Sequence, residues 1–516
     1  MVQETTYRYG PLERGGFALG LRLPQIAGLV IAGAIALALL NVGGFGSAVL
    51  ALGVLGLAVA VVLLPVFGRT LQVWAPVALR FLHGQWSGQA RFRAQVAQLG
   101  HVLRLPEGGL DPSPTGEPKS LPAELAGLEL LEAELAQYDG ALMGAVADRD
   151  DGTFTAVLRC QGQAFALLGA EDQEQRLAEY GGVLAALARD DSPLRRIAWI
   201  ERTVPAAGDE MADYLMTAKR PDASLDAPPA ELVSYFQLLN HAPQVAEDHE
   251  LLVCVQIDTR RPSSRRALKR LGGGDLGALA VLAGEVGRIA ELLDAAGIAV
   301  TGVLTRRGVA AAIRNAYDPW GRRQRQRSSP RGDDGVSDAS AGPMARDEHW
   351  SHVATDSALH ATLWVAEWPR IDVRATFLQP LLMQTRTTRT VAMVMDLVGP
   401  SKATRQVERA ATEAATEASV RARVGQRTTQ RQRQREESTH RRERELAQGH
   451  AEVRFAAFVS VSVPAATGRV GTLDDLEAAV SRVELEAKRA PLRLERLWGQ
   501  QAEALTFTLP LCRGLR

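Results

Sequence analysis

The stretch LPQIAGLVIAGAIALALLNVGGFGSAVLALGVLGLAVAVVLLPVFG, residues 23–68, decides the fold because it is apolar and contains no charged residue. It divides at Asn41-Val-Gly-Gly into two segments, Leu23 to Leu40 and Phe45 to Phe67. Each is close to the roughly 20 apolar residues that a helix needs to cross the hydrocarbon core of a bilayer. Because backbone groups in lipid must be hydrogen-bonded internally, the sequence predicts a two-helix transmembrane hairpin.

The residues around this stretch predict how the hairpin packs and how it is oriented. Small residues would let the two helices approach closely; they are Gly28, Ala32, Ala36, Gly53 and Gly56. Arginines lie outside both ends, and the turn has no charge; they are Arg8, Arg14, Arg22, Arg69 and Arg80. By the positive-inside rule, both termini are predicted to be cytoplasmic in the cell membrane.

Two other interpretations of the apolar stretch were weighed. Ala34-Ile-Ala36 resembles a signal-peptide cleavage site, but Glu4 and Glu13 lie in a long leader and a second full segment follows. A pair of helices buried in a soluble core is also conceivable, yet such helices rarely run this long without a charge. The membrane interpretation is therefore favoured.

Composition limits the remaining function classes. The chain has 516 residues, with 59 Lys or Arg balanced by 59 Asp or Glu, which argues against a uniformly basic nucleic-acid binder. Its cysteines, Cys160, Cys254 and Cys512, are widely spaced and odd in number. They provide neither a disulfide framework nor a CxxC metal site, and a reducing compartment fits them.

The predicted fold class is a membrane-anchored α+β (α/β) protein, in which a mixed cytoplasmic body with a long charged helical segment follows the hairpin. The predicted divisions are an N-terminal arm over 1–22, the hairpin over 23–68, an interfacial helix over 69–105, a linker over 106–122, an α/β domain over 123–320, a flexible linker over 321–348 and a second α/β portion over 349–516.

Patterns within the body predict strands and helices. Strands are expected at Thr153 to Leu158, Ala164 to Leu168, Arg196 to Thr203, Glu250 to Asp258, Ala361 to Trp368, Val391 to Val398, Val453 to Val463 and Leu505 to Leu511. Helices are expected at Leu71 to Leu99, Glu171 to Ala188, Leu276 to Ala296, Leu473 to Ala487 and Pro491 to Glu503.

The segment 401–448 is predicted to be helical, either straight or folded back near Gly425. It carries twelve Lys or Arg residues and seven Glu. Such a surface could follow a DNA backbone or lie beside anionic lipids. Mixed charge along a helix is more often a solvated or partner-facing surface, which is the favoured interpretation.

Motifs that would indicate catalysis or metal binding were sought, and no Walker-type phosphate loop occurs. Gly272-Gly273-Gly274 is interpreted as a loop with Asp275 as helix N-cap, because a carboxylate there would repel phosphate. Glu348, His349, His352, Asp356 and His360 fit no standard zinc spacing. Asp148, Asp150 and Asp151 before Gly152 indicate a β-turn, since no calcium-binding Glu follows. The sequence therefore predicts no catalytic residue, no metal, no cofactor and no enzymatic activity.

The order of features resembles a known family. Tyr7-Arg-Tyr-Gly-Pro-Leu-Glu-Arg14 before a hairpin is similar to membrane proteins of actinobacterial conjugative elements, whose hairpin resembles the PrgI-type subunit of type IV secretion. The remainder resembles the non-catalytic N-terminal region of CagE/TrbE/VirB-class secretion ATPases. The stretches behind this second likeness are Ser234 to Asn240, Leu251 to Asp258, His360 to Pro369, Phe377-Leu378, Leu381-Leu382 and Phe507 to Leu511.

This resemblance implies a split arrangement, because the nucleotide-binding domain that follows in those ATPases has no counterpart before Arg516. The chain is expected to be a structural or scaffold component of a type IV-like conjugation or secretion apparatus. Its expected partners are a separate motor ATPase, other membrane subunits and the lipid bilayer, while self-association and direct DNA contact are left open. The alternatives are a type VII secretion membrane component, a membrane-tethered enzyme such as a transferase, and a membrane-tethered DNA-binding protein.

Overall fold

The computed structural model describes residues 23–63, 65–66, 69–94, 121–135, 140–162, 165–205, 234, 247–322, 325, 335–383, 387–424, 438, 441–465 and 472–515. The predicted arm 1–22, with Arg8, Arg14 and Arg22, lies outside these ranges, as do most of the predicted linker 106–122 and the stretch Ser234 to Asn240 apart from Ser234. Two compact units are present: a helical unit, mainly residues 23–91, and a body of residues 92–497 and 501–515. Together they contain helices and a large antiparallel sheet, so the fold is mixed α+β.

The helical unit begins with α1 (Leu23–Val42) and α2 (Phe45–Leu63), separated at Gly43 and Gly44. Both glycines have positive φ angles, which explains why the chain can reverse there. Two short strands, β1 (Pro65–Val66) and β2 (Arg69–Thr70), pair after α2, so the predicted helix to Phe67 ends earlier, at Leu63. A third helix, α3 (Leu71–Trp86), follows.

The body alternates strands and helices. Its elements in chain order are β3 (Arg91–Arg93), β4 (Leu128–Leu135), β5 (Ala141–Asp148), β6 (Thr153–Gln161), α4 (Ala170–Leu187), β7 (Leu194–Pro205), β8 (Glu247–Asp258), α5 (Pro262–Arg270), α6 (Gly274–Ala295), β9 (Ala299–Val303), α7 (Arg306–Tyr317), β10 (Ala345–Glu348), β11 (Val353–Thr355), β12 (Ala358–Glu367), α8 (Gln379–Leu382), β13 (Arg389–Val398), α9 (Pro400–Val424), β14 (Glu452–Pro464), α10 (Leu473–Arg489), β15 (Arg493–Arg496) and α11 (Gln501–Leu505).

One sheet of thirteen described strands joins the whole body. Its order is β3-β10-β11-β12-β14-β13-β7-β8-β6-β5-β4, with β15 pairing β12 and β9 pairing β6. The predicted domains 123–320 and 349–516 therefore share one sheet and belong to one compact unit. The predicted linker 321–348 is wrong at its end, where Ala345–Glu348 forms β10.

The sheet contains an internal repeat. From one edge inward the strands run β4, β5, β6, β8, β7, and on the other side, inside the edge strand β3, they run β10, β11, β12, β14, β13. The side pairings repeat as well, because β9 pairs β6 just as β15 pairs β12. The halves meet through the antiparallel pair β7 and β13. The chain therefore folds the same strand order twice about an approximate two-fold axis at this junction.

Helices cover both faces of the sheet. On one face α6 packs on alternate residues of β8, including Val253, Val255 and Ile257, and α10 packs on Val459 and Val461 of β14. On the opposite face α7, α11 and the segment Leu509–Cys512 form a second core with β7 and β8. Because helices bury both faces of the central strands, strands such as β8 carry continuous apolar runs.

Most predicted strands and helices are present, and three predictions in the body are wrong. The expected strand Ala164 to Leu168 is a 3₁₀ turn at Phe165–Leu167 where it is described. The expected helix Pro491 to Glu503 contains β15, which gains hydrogen bonds by pairing with β12. The expected strand Leu505 to Leu511 begins with a 3₁₀ turn, in which the Thr506 and Thr508 hydroxyls bond backbone carbonyls.

Two long predicted helices are also shorter than expected. The helix over Leu71 to Leu99 ends at Trp86, and Arg91–Arg93 is a strand. In the segment 401–448, α9 ends at Val424 and a further helical stretch covers 441–447. Val398 before the segment pairs with Glu452 after it, so both ends lie at adjacent strands. A single straight helix over 401–448 is therefore excluded, and the predicted turn near Gly425 lies outside the described residues.

Candidate functional site

The apolar helices of the helical unit expose their large side chains. In α2 the window Phe45–Val62 has a mean hydropathy of 2.5, and only 11% of it is buried. By length and composition α2 is the one described helix that could cross a membrane; the apolar part of α1, Gln25–Asn41, is shorter. Crossing by both helices therefore stays a prediction. Exposed aliphatic surface on this scale needs a nonaqueous environment or a partner.

Contacts between α1 and α2 involve some of the predicted small residues. Ala32 and Ala36 are buried, and a Cβ placed on Gly28 would lie 3.8 Å from a Val62 methyl group. Gln25 Nε2 donates to the Val62 carbonyl at 3.3 Å, which fixes the two helices side by side. Gly53 and Gly56 face open space instead, so their predicted role in packing is wrong.

Of the five arginines predicted to set the orientation, two lie in described segments. Arg69 is in β2 and Arg80 is an exposed residue of α3. Trp86, at the end of α3, is 83% exposed. Exposed aromatic and basic residues beside an apolar helix are typical of segments at a headgroup layer.

A cleft at the start of α9 is the strongest candidate for a partner-binding site in the body. Its volume is about 370 Å³, and its lining residues are Asp190, Ser401, Lys402, Arg405, Gln406 and Arg409. Asp190, in the turn before β7, accepts the backbone N–H of Ser401 at 3.2 Å and also binds its hydroxyl. The carboxylate thus caps the first turn of α9, where four N–H groups lack partners within the helix.

The positive charge of this cleft is largely uncompensated. Lys402, Arg405 and Arg409 are exposed and form no ion pair with another described residue. They lie on one face of α9 and extend over about 10 Å at 1.5 Å per residue. Arg454 of β14 adds a fourth exposed guanidinium, which donates to Gln406 Oε1 at 2.8 Å. Asp190 already supplies a carboxylate to the end of the helix, and the four cations outnumber it, so the cleft keeps a net positive charge that favours an anionic group.

A buried polar network lies between α7 and the second half of the sheet. One ring nitrogen of His360 lies 2.9 Å from Thr355 Oγ1, and the other lies 2.7 Å from Ser462 Oγ. Burial lowers the pKa of His360 to about 4, so the ring is neutral near pH 7. The adjoining cavity, beside Arg202 and Thr390, has a volume of about 10 Å³, enough for about one water molecule. The small cavity and the fully hydrogen-bonded histidine indicate that this network stabilises the fold and does not bind a ligand larger than water.

Two buried ion pairs hold the central strands. Arg389 of β13 contacts Glu486 of α10 at 3.2 Å, and Arg202 of β7 contacts Glu250 of β8 at 3.1 Å. Burial is the largest influence on Glu486 and raises the pKa of its carboxyl, while the neighbouring guanidinium opposes that shift. Neither pair is visible in the sequence, because the partners lie about 50 and about 100 positions apart.

The acidic and histidine residues considered for metal binding have structural partners. His349 and His352 stack in the turn between β10 and β11, with ring centroids 4.5 Å apart. Asp356 pairs with Arg314 at 2.7 Å, and Glu348 accepts the Ala502 backbone N–H at 3.0 Å. Within the described ranges, no group of three or more His, Cys, Asp or Glu side chains is arranged to hold a metal ion.

The two glycine-containing turns also have defined structures. Gly273, not Asp275, occupies the N-cap of α6, so the predicted cap is wrong. Asp275 instead binds Arg149 at 2.7 Å, and the hydrogen bond from this guanidinium lowers the pKa of the carboxyl. Asp148–Gly152 forms the turn between β5 and β6, in which Gly152 donates to the Asp148 carbonyl. Asp148 also pairs with Arg513 at 2.7 Å.

The three cysteines are buried free thiols, and burial raises the pKa of Cys160 to about 12. The Cys160 thiol is therefore protonated and unreactive at neutral pH.

Comparison with protein-family models and with curated proteins found no match for this chain.

Proposed function

We propose that this chain is an inner-membrane scaffold of a type IV-like conjugation or secretion apparatus, which docks a separate motor ATPase through its body. The observation that carries the proposal is the exposed apolar surface of α2, of which only 11% is buried. In this proposal α1 and α2 both cross the bilayer, and the termini lie in the cytoplasm. The assignment to a type IV-like apparatus rests on the resemblance of the sequence to secretion proteins.

The cleft at the start of α9 is the docking site in this proposal. Lys402, Arg405 and Arg409 would face an acidic segment of the ATPase, because exposed cations without ion pairs favour a complementary anionic surface. The thirteen-stranded sheet supplies a rigid platform for α9. In this proposal the chain holds the ATPase at the membrane, and the ATPase, a separate polypeptide, hydrolyses the nucleotide.

Co-purification from detergent tests this proposal. The full chain should retain a motor ATPase encoded beside it at low salt and lose it as salt increases. Changing Lys402, Arg405 and Arg409 to Glu should abolish retention, whereas changing Lys488 and Arg489 to Glu, at exposed positions of α10, should leave it intact. Absence of any ATPase at low salt would count against the proposal.

The same three cations favour a second candidate, a membrane-tethered DNA-binding protein. Cations along one helix face can neutralise backbone phosphates, with an affinity that falls steeply with salt. Binding of duplex DNA by the full chain, lost in the Lys402, Arg405 and Arg409 variant without loss of ATPase retention, would support it.

A further inference from the structure

We propose that α5 and the loop after it form a second membrane contact, through which the body lies against anionic phospholipid headgroups. The contact surface comprises Arg265, Arg266, Lys269, Arg270, Leu271 and Leu276. None of these residues lines the cleft at α9. The inference rests on the proposed function only for the membrane anchoring of the chain.

Residues 259–274 form a one-sided cluster of positive charge in the body. This stretch, TRRPSSRRALKRLGGG, contains six basic residues and no acidic one, although the whole chain has no net charge. Arg265, Arg266, Lys269 and Arg270 are exposed and form no ion pair with another described residue. Their spacing places them in two i,i+4 pairs on the outer face of α5.

Exposed leucines adjoin these cations. Leu271, directly after Arg270, is 51% exposed, and Leu276, in the first turn of α6, is 77% exposed. A nucleic-acid backbone would gain little from them. Cations beside protruding aliphatic side chains suit an anionic bilayer, because the cations meet the phosphates while the leucines enter the acyl boundary.

The loop that presents the leucines is held firmly at its base. Gly272, Gly273 and Gly274 all have positive φ angles, and no atom lies within 4 Å of a Cβ placed on any of them. Below the loop, a Cβ on Gly277 would lie 2.7 Å from the Leu268 carbonyl oxygen, so α5 packs tightly on α6. The side chains therefore protrude from a rigid base into open space.

The one acidic residue beside the loop does not cancel its charge. Asp275 is already paired with Arg149 at 2.7 Å, and Arg149 also binds Glu129. Tethering by the apolar helices keeps the body at a high local concentration near lipid, so a weak surface contact is enough to hold it. Each cation near an anionic leaflet would then favour the bound state on the order of fivefold.

A fluorescent probe on the full chain tests this contact. The variant Leu271→Cys is labelled with an environment-sensitive fluorophore and reconstituted in phosphatidylcholine vesicles with or without phosphatidylglycerol. Emission should shift to the blue only with phosphatidylglycerol, and salt should reverse the shift. Leu485→Cys on α10 is the matched control, because Leu485 is 52% exposed. The native cysteines are buried and should not compete for label.

Neutralising the cations one at a time tests whether the fluorescence shift depends on them. Changing Arg265, Arg266, Lys269 and Arg270 singly to Gln should lower the ratio of bound to free probe on the order of fivefold each. Circular dichroism should show unchanged folding, since all four side chains are exposed. The proposal is overturned by a shift that does not depend on phosphatidylglycerol, by an equal shift at Leu485, or by a shift produced by duplex DNA alone. ATPase retention is measured separately, so either proposal can fail without the other.

Discussion

Ile200 of β7 lies opposite Ala392 of β13, near the middle of the ladder that joins the two repeated halves of the sheet. Both side chains are completely buried and belong to the core beneath α7. The junction of the repeat is therefore an interior contact of one body and not a hinge between two domains.

Replacing a large buried side chain at this junction by a smaller one should destabilise both halves of the sheet together. Ile200→Ala should lower the free energy of unfolding by about 2–5 kcal/mol, because it leaves a cavity in a packed core. Thermal unfolding followed by circular dichroism should still show one transition for the body. The control Ile371→Ala, at a position that is 61% exposed, should change stability little. Two separate transitions would contradict a single cooperative sheet.

The buried ion pair between Arg389 and Glu486 gives a second prediction. Glu486→Ala should lower the free energy of unfolding by about 3–5 kcal/mol, because it removes the carboxylate that faces the buried Arg389 guanidinium. Replacing both partners, with Arg389→Met and Glu486→Leu, should recover much of that loss. Chemical denaturation of the three variants measures this. If Glu486→Ala were as stable as the native chain, the pair would not be buried as described.

The neutral, buried His360 predicts a loss of stability in acid. Its pKa is about 4 in the folded chain and 6.5 when unperturbed, so the unfolded chain binds the proton more readily. The stabilisation is complete above pH 6.5 and declines as the pH falls towards 4, with about 2 kcal/mol lost by pH 5.

The free energy of unfolding, measured at several pH values, tests whether stability falls as the pH falls. His360→Gln should flatten the dependence between pH 6.5 and 4, and the control His450→Gln, at an exposed position, should not. His352, whose pKa burial and His349 also lower to about 4, contributes in the same direction. An unchanged slope in His360→Gln would contradict burial of the neutral ring.

The contact between Asp190 and the start of α9 should control local order at the cleft. Asp190→Ala removes the acceptor of the Ser401 N–H, a loss comparable to that of a helix cap, about 0.5–2 kcal/mol. Hydrogen exchange should accelerate in the first turn of α9 and not in the central strands. Asp191→Ala is the control because Asp191 has an 86% exposed side chain. Uniform acceleration throughout the body would contradict a local role.

A continuous apolar run was sufficient to predict a central strand such as β8, at Leu251-Leu252-Val253-Cys254-Val255. One face of this strand packs on α6 and the other on α7, so the pattern reflects real burial. The helix predicted over Pro491 to Glu503 failed because its Leu, Arg and Glu residues favour helices locally. Pairing of Arg493–Arg496 with β12 overrides that preference.

The repeat and the basic cleft could not be predicted in the same way. Strands β8 and β14 occupy equivalent places, yet their sequences share only an apolar content common to many strands. The cleft depends on Asp190 meeting Ser401, residues 211 positions apart. The sequence shows the charge of the 401–448 segment, but which of its cations lack ion pairs is a property of the folded chain.

Membrane extraction tests the central claim most directly. In cells that express the full chain, alkaline carbonate should leave the protein in the membrane fraction, and Leu52→Arg together with Leu57→Arg in α2 should release it. A cysteine at Asn41 should react with an impermeant maleimide added outside, while a cysteine at Leu485 should react only after lysis. Complete release of the native chain by carbonate, or labelling of Leu485→Cys in intact cells, would contradict the account.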